Sequence, residues 1–305
     1  MSFATDVKNE ISLLKVTPLE EKCELSAILR NHYTNNAEIN IYLENSKIIK
    51  RIYTILKKEY DVIPEIKQNK YHKTITYHLF LNEKLPLILK DLEIIDNKNK
   101  YKSIPKEYFV ETEDLARAYL RGTFLATGSI NDPKKSNYHL EFLLNHLEAA
   151  KFIQELLLRF AIKSKVISKD RKYMVYIKEA EKIGDFLRVI SSYQAVLYFE
   201  DIRIYRDHKN MTNRFNNCEQ ANVDKTINAS EKQIEEIDYI LKNLGYELID
   251  DKLLVVMDYR KKYPDATYNE LANIISLETE KPLTKSGLNH RLRKIHELYE
   301  KLQTL

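Results

Sequence analysis

Hydrophobic and polar residues follow two different periods over residues 1–200, and the pattern predicts both strands and helices. Ile39, Ile41 and Leu43 alternate with polar residues, which is typical of a half-buried strand and predicts one over Ala37–Glu44. Isoleucine and leucine then recur every three or four positions, which predicts an amphipathic helix over Ser46–Tyr60. The close succession of the two periods indicates a mixed α+β domain.

The same order of elements is predicted twice, which indicates one duplicated α+β unit. In the first copy, residues 1–96, the predicted elements are helix Glu20–Asn31, strand Ala37–Glu44, helix Ser46–Tyr60, strands Val62–Gln68 and Lys73–Leu81, and helix Glu83–Asp91. In the second copy, residues 107–200, they are helix Glu113–Leu125, strand Tyr138–Leu144, helix Leu147–Phe160, strands Lys163–Lys169 and Lys172–Ile177, and helix Glu179–Ile190. Equivalent helices are roughly 95–100 residues apart, which is too long a period for a solenoid. The polar segment Asn97–Lys106 is predicted to connect the copies.

Residues 201–228 show no clear period and are rich in polar residues, so we predict a domain boundary there. The predicted organisation is a body over residues 1–205, a basic linker over 206–228 and a helical domain over 229–305. Ser230 and Gln233 have the spacing of a capping box, which predicts a helix start.

The predicted helical domain contains further start and stop signals. Gly245 is expected to end the first helix, and a second helix is predicted over Asp251–Tyr263. Thr267 and Glu270 predict a capped start for helix Tyr268–Leu277. A loop over Glu278–Lys285 and a last helix from about Ser286 to the C-terminus complete a helix-turn-helix pattern.

The last helix has one apolar face and one basic face. Its buried stripe is predicted to consist of Leu288, Leu292, Ile295, Tyr299 and Leu302. On DNA, arginine pairs with guanine, asparagine with adenine and lysine with phosphate. The candidate DNA-binding residues on this helix are therefore Lys285, Ser286, Asn289, His290, Arg291, Arg293 and Lys294. An ordinary solvated helix face is the alternative interpretation.

The charge of the chain is concentrated at this end. The 305 residues have a net charge of +4, and residues 281–305 contain six Lys or Arg and two Glu, which accounts for the whole excess. A localised basic segment is the expected electrostatic signature of nucleic-acid binding.

A second basic cluster precedes the helical domain. It consists of Arg203, Arg206, Lys209 and Arg214. These residues suit an arm that holds DNA phosphates. They equally suit a structural segment whose side chains bond to neighbouring backbone, and the sequence leaves both interpretations open.

Composition and motifs exclude several other classes. The two cysteines allow no disulfide framework, which predicts reduced thiols and a cytoplasmic protein. Binding to DNA would make this protein nucleoid-associated. The first residues lack a signal-peptide pattern, and no apolar run reaches the ~18 residues of a membrane span, so no membrane partner is predicted. No phosphate-binding glycine loop or zinc-type spacing is present, so no cofactor and no metal are predicted.

Three stretches of the chain resemble the bacterial WhiA family. They are ARAYLRGTFLATGSINDP (116–133), FEDIRIYRDHKNMTNRFNNCEQANVDKT (199–226) and LTKSGLNHRLRKIHEL (283–298). The resemblance implies a duplicated LAGLIDADG homing-endonuclease-like body followed by an all-α helix-turn-helix domain. It also implies a transcription regulator of sporulation in spore formers, and of cell division and chromosome segregation elsewhere.

The resemblance places His32 and Thr127 where LAGLIDADG nucleases need the acids that hold divalent metal. Neither residue is a carboxylate, so no catalytic residue and no enzyme activity are predicted. Gly122 is expected to let the two motif helices pack closely.

The function predicted from the sequence is therefore DNA-binding transcription regulation. The alternatives are a metal-dependent LAGLIDADG endonuclease and a protein-interaction scaffold. Double-stranded DNA is the predicted partner, transcription or cell-division proteins are further candidates, and a monomer is expected because the duplication supplies its own pseudo-twofold.

Overall fold

A computed structural model describes residues 2–71, 74–135 and 137–304. The chain divides into two compact units, Met1–Arg206 and Asp207–Leu305. The first unit contains α1 (Phe3–Ile11), α2 (Pro18–Asn31), β1 (Ile39–Leu43), α3 (Ser46–Tyr60), β2 (Glu65–Tyr71), β3 (Thr74–Leu81), α4 (Leu85–Asp91), α5 (Glu113–Thr127), β4 (Gly128–Ile130), β5 (Leu140–Leu144), α6 (Leu147–Arg159), β6 (Lys165–Lys169), β7 (Lys172–Ile177) and α7 (Ala180–Val189). Lys73, where the third predicted strand was to begin, lies outside the described residues.

The predicted duplication is confirmed by the sheet topology. The first sheet has the order β1-β3-β2, and the second has the same order, β5-β7-β6, with β4 added at the β5 edge. All pairs are antiparallel, and the registers are equivalent: Ile39 pairs with Leu81 in one sheet, and Leu140 pairs with Ile177 in the other. The short β4 and the N-terminal α1 were not predicted from the sequence.

Helix α1 belongs to the body because its apolar face is buried. Ser2 caps its start by accepting a hydrogen bond from the Thr5 amide, and Phe3, Val7 and Ile11 are buried at a spacing of four residues. A spacing of four residues is typical of a helix. The pattern covers only three residues because the helix is nine residues long.

Helices α2 and α5 pack along each other at the centre of the body, as predicted from Gly122. A Cβ at this position would lie 2.4 Å from the Glu24 carbonyl oxygen and 2.9 Å from the Ala27 Cβ. The absence of a side chain therefore allows the two backbones to approach. Glu24 is fully buried beside this contact, where Arg51 Nε donates to its carboxylate at 2.6 Å and Arg121 donates to the other oxygen.

The second unit begins within one long helix, which corrects the predicted loss of structure over residues 201–228. Helix α8 is continuous over Tyr193–Leu244. Residues 207–225 are exposed all round, so the sequence carries no apolar stripe there and looks irregular. The predicted helix start at Ser230 is also wrong: this residue lies inside α8, is 2% exposed, and its hydroxyl caps nothing.

The remaining helices confirm the predicted pattern. α8 ends before Gly245, as expected, and this glycine has a positive φ of 77°, which residues with a side chain rarely adopt. α9 (Asp251–Lys262), α10 (Tyr268–Thr279) and α11 (Lys285–Gln303) follow. Thr267 and Glu270 form the predicted capping box of α10.

The close contact at Gly122 predicts a large penalty for a small substitution. We expect Gly122→Ala to lower the free energy of unfolding by about 1–3 kcal/mol, because the added Cβ meets backbone that cannot rotate away. The control is Gly184→Ala in α7, where the nearest atom is the end of the flexible Glu200 side chain. Urea unfolding of both variants measures the difference, and equal stability of the two would contradict the packing argument.

Candidate nucleic-acid interface

The turn between α10 and α11 is held by its own side chains. Glu280 ends α10 in the left-handed region, with φ 54°. The Ser276 hydroxyl accepts a hydrogen bond from the Leu283 amide at 2.8 Å. Thr284 then caps α11 by accepting from the Gly287 amide at 3.2 Å. These bonds fix the angle at which α11 leaves the turn.

One face of α11 is anchored in the core of the second unit. Leu288, Leu292 and Ile295 are buried among residues of α8, α9 and α10, and Tyr299 and Leu302 pack against the same core. The apolar stripe predicted from the sequence is therefore confirmed.

The opposite face of α11 carries the candidate DNA-binding residues. The exposed ones are Lys285, Ser286, Asn289, His290, Arg293 and Lys294, and Arg291 is half-buried. Arg293 is 78% exposed, and its Nε lies 3.3 Å from a Glu297 carboxylate oxygen. An exposed ion pair of this kind contributes little to the stability of the fold. The Arg293 guanidinium can therefore exchange Glu297 for another anion.

Two contacts that the sequence did not indicate fix the rotation of α11 about its axis. The His296 Nδ1 lies 2.8 Å from the carboxylate of Glu236, a residue of α8 that is 5% exposed. The rings of Tyr239 and Tyr299 meet edge to face at 5.2 Å. No spacing rule connects residues about 60 positions apart, so only the tertiary structure brings these pairs together.

A buried guanidinium holds the loop before α10. Arg260 is 1% exposed, donates to the Ala266 carbonyl at 2.8 Å, and lies 5.7 Å from the centroid of the Tyr268 ring. The loop therefore presents the start of α10 in a fixed position. Next to that start is a cleft of about 270 Å³ that is lined by Lys225, Thr226, Ala229, Thr267, Tyr268, Asn269 and Lys285.

The second basic cluster does not act as one group. Arg203 donates to Glu200 at 2.7 Å. Arg206 donates to the carbonyls of Pro133 and Lys135 at 2.8 and 2.6 Å and lies over the Tyr138 ring. These contacts favour the structural interpretation for both arginines. Lys209 and Arg214 are exposed on α8, so the phosphate-binding interpretation stays open for them.

The C-terminal ends of α2 and α5 lie where the resemblance places catalytic acids. His32 caps α2, and Thr127, the last residue of α5, donates its hydroxyl to the Thr123 carbonyl at 3.1 Å. Burial, followed by the charges of Lys8 and Lys172, lowers the pKa of His32 to about 4. Asp132, which follows Thr127 by five residues in the sequence, accepts a hydrogen bond from the Lys134 amide in its own loop. Within the described ranges, no group of three or more His, Cys, Asp or Glu side chains is arranged to hold a metal ion.

Family models match three successive parts of the chain. They are the WhiA N-terminal LAGLIDADG-like domain at residues 19–95, the WhiA LAGLIDADG-like domain at 116–209 and the WhiA C-terminal HTH domain at 212–299. The chain belongs to the WhiA family. It is 43% identical over 312 residues to the "Probable cell division protein WhiA" of Bacillus cereus (strain B4264) and to that of Bacillus mycoides (strain KBAB4), covering 99% of this chain and 98% of each relative.

Solved WhiA structures share the fold. Full-length DUF199/WhiA from Thermatoga maritima matches with a TM-score of 0.59 and 23% identity, covering 99% of both chains. The N-terminal LAGLIDADG domain of DUF199/WhiA matches with a TM-score of 0.51 and 21% identity, covering 62% of this chain and 90% of that one. The predicted fold class, a duplicated LAGLIDADG-like body followed by a helix-turn-helix domain, is thus confirmed for this WhiA member. No helix in the described part of the chain combines the length and the apolar character that a membrane crossing requires.

The half-buried His32 predicts a specific pH dependence of stability. Its folded pKa of about 4 lies below its ordinary value of 6.5, so the unfolded chain binds more protons between these two pH values. The associated stability is complete above pH 6.5 and falls as the pH drops towards 4, by about 2 kcal/mol after allowance for the part of the ring that solvent reaches. We expect His32→Gln to remove this component.

The measurement is urea unfolding at several pH values between 4 and 7, in buffers without phosphate or sulfate. His208→Gln, which changes an exposed histidine of α8, is the control and should keep the full pH dependence. If the His32 variant followed the same curve as the unmodified chain, the burial argument would be wrong.

Proposed function

We propose that this WhiA member is a DNA-binding transcription regulator that acts in cell division, chromosome segregation or, in a spore former, sporulation. The observation that carries the proposal is the two-sided character of α11. Its leucine and isoleucine face is buried, and its basic, amide-bearing face is open to solvent. A helix anchored in this way presents its first turns to the major groove as a rigid unit.

The residues on this face divide into two roles by their chemistry. Arg293 and Asn289 have the planar donor groups that pair with base edges, and His290 lies between them as a further donor or acceptor. Lys285, Lys294 and the half-buried Arg291 carry charges suited to phosphates. Lys285 also lines the cleft at the start of α10, so this side of the interface is proposed to follow one DNA strand.

We further propose that the LAGLIDADG-like body has lost nuclease chemistry. Hard divalent cations need carboxylate oxygens, and His32 and Thr127 supply none. Thr127 is bonded to its own helix. The proposed division of labour keeps residues 1–205 as the body and 229–305 as the reader, with 206–228 as a helical connection. The proposed state is a monomer bound to double-stranded DNA in the cytoplasm.

The two proposed roles on α11 predict different effects of substitution. Arg293→Ala should reduce the preference for the target over random DNA, by about 1–3 kcal/mol for the base it reads. Lys294→Ala should weaken binding to every sequence and lower the salt slope by about 1, because it removes one phosphate contact. Lys301→Ala, at the other end of α11, is the control for a lost positive charge.

The experiment first maps bound DNA across the genome with the full chain and then measures affinity for the target and for random duplexes at several salt concentrations. Unchanged affinity and unchanged preference in Arg293→Ala would contradict the reading role. Equal affinity of the unmodified chain for target and random DNA would favour a protein-interaction scaffold.

The proposed loss of nuclease chemistry predicts that supercoiled plasmid and target duplex stay intact with the full chain and Mg²⁺ or Mn²⁺. The absence of paired carboxylates at His32 and Thr127 is the reason. Gel electrophoresis over hours measures nicking. Metal-dependent cleavage that disappears in a His32 or Asp132 variant would overturn this part of the proposal.

A further inference from the structure

The cleft at the start of α10 brings together side chains from three helices of the second unit. It has a volume of about 270 Å³, and the long helix α8 contributes Lys225 to its lining. Asn269 belongs to the first turn of α10, and Lys285 is the first residue of α11. The cleft therefore places a lysine of α8 beside the helix proposed to read DNA.

Both lysines of the cleft are available to bind an anion. Lys225 and Lys285 are exposed, and in the described part of the chain neither ammonium group has an ion-pair or hydrogen-bond partner. The side-chain amide of Asn269 is exposed as well and adds two further N–H donors. The cleft thus offers two positive charges and one neutral donor group to a ligand.

The carboxylates next to the cleft in the sequence are bonded to other groups. Among the described residues, the lining of the cleft includes no acidic side chain. Glu270 turns back on its own helix and accepts from the Thr267 amide at 2.8 Å. Asp224 accepts from the Gln220 side chain at 2.8 Å. The two lysines are therefore not neutralised from within the protein, and an anionic ligand suits the cleft.

The cleft also lies where a helix-turn-helix complex places a DNA strand. In such complexes the second helix enters the major groove and the first helix crosses the sugar-phosphate backbone. Here α11 is the second helix and α10 the first, and the cleft is at one end of α10. Asn289, about one turn after Lys285, belongs to the face of α11 that is proposed to read bases.

We propose that this cleft holds the backbone of the bound DNA and that Lys225 of α8 is a phosphate contact beside Lys285. The inference rests on the proposed DNA-binding function and adds α8, which that function treats only as a connection, to the interface. An ammonium group pairs with phosphate oxygens as a point charge and does not read the base. Lys225 therefore contributes to affinity for every sequence and not to preference for the target.

An ordinary solvated surface makes a different prediction. Lysine side chains are usually exposed, because water stabilises their charge. In that case Lys225 affects DNA binding no more than another exposed lysine of the same helix. Lys242 supplies this comparison, since it is exposed near the other end of α8 and does not line the cleft.

The first measurement is the affinity of the full chain for a random-sequence duplex at several salt concentrations. Lys225→Ala should lower the affinity roughly five- to tenfold near 0.1 M salt and reduce the salt slope by about 0.9, because one phosphate contact is lost. Lys225→Arg keeps the positive charge and should retain most of the affinity. Lys242→Ala should bind as the unmodified chain does, and circular dichroism should show the same helix content for all variants.

The second measurement locates the contact on a target duplex found by genome mapping. Backbone phosphates of this duplex are replaced one at a time by neutral methylphosphonate groups. At the phosphate that Lys225 holds, the replacement should weaken binding of the unmodified chain but have little further effect on Lys225→Ala, because both changes remove the same interaction. The same scan with Lys285→Ala should identify that phosphate or a neighbouring one on the same strand.

The inference is overturned if Lys225→Ala and Lys242→Ala bind random DNA with equal affinity and equal salt slope. A scan in which no phosphate depends on Lys225 overturns it as well. These failures differ from a failure of the proposed function. If only the contribution of α8 is wrong, Arg293→Ala still reduces the preference for the target, whereas a chain that does not bind DNA at all contradicts both proposals.

Discussion

The close contact of α2 and α5 is the constraint on which the body of the protein depends. It exists because Gly122 leaves room for the Glu24 backbone, and because the buried Glu24 carboxylate is neutralised by Arg51 and Arg121. Removing one partner of such a buried set leaves an uncompensated charge and typically costs 3–5 kcal/mol. With the helices fixed, each of their C-terminal ends leads into a sheet.

In the second unit, the basic helix α11 is exposed on one face and must stay packed on the core by the other. The buried leucines of α11 supply the attachment, and the contacts of His296 with Glu236 and of Tyr299 with Tyr239 set its rotation. A loop held by Arg260 and a turn held by Ser276 fix the helix that precedes it. Rigid presentation matters because groups held in place before binding lose little conformational entropy when they meet a ligand.

Helix α8 shows how far local composition can mislead. Residues 207–225 are helical without a buried face, so their helix is stabilised by backbone bonds and by i to i+4 side-chain contacts such as Gln220 to Asp224. An apolar stripe is the main sequence signal of a helix, and a helix surrounded by water does not need one. The polar character of this segment reflected its exposure rather than a lack of regular structure.

The sequence by itself determined the duplication, the order of the elements that the two copies share, the apolar stripe of α11 and the close packing at Gly122. Each of these features follows from a short-range periodic pattern or from a single residue without a side chain, such as Gly122. The tertiary structure alone decided that Arg206 is bonded to its own unit and that Glu236 meets His296. These contacts join residues that are distant in sequence. The residues next to a charged side chain in the sequence do not indicate which partner it will contact after folding.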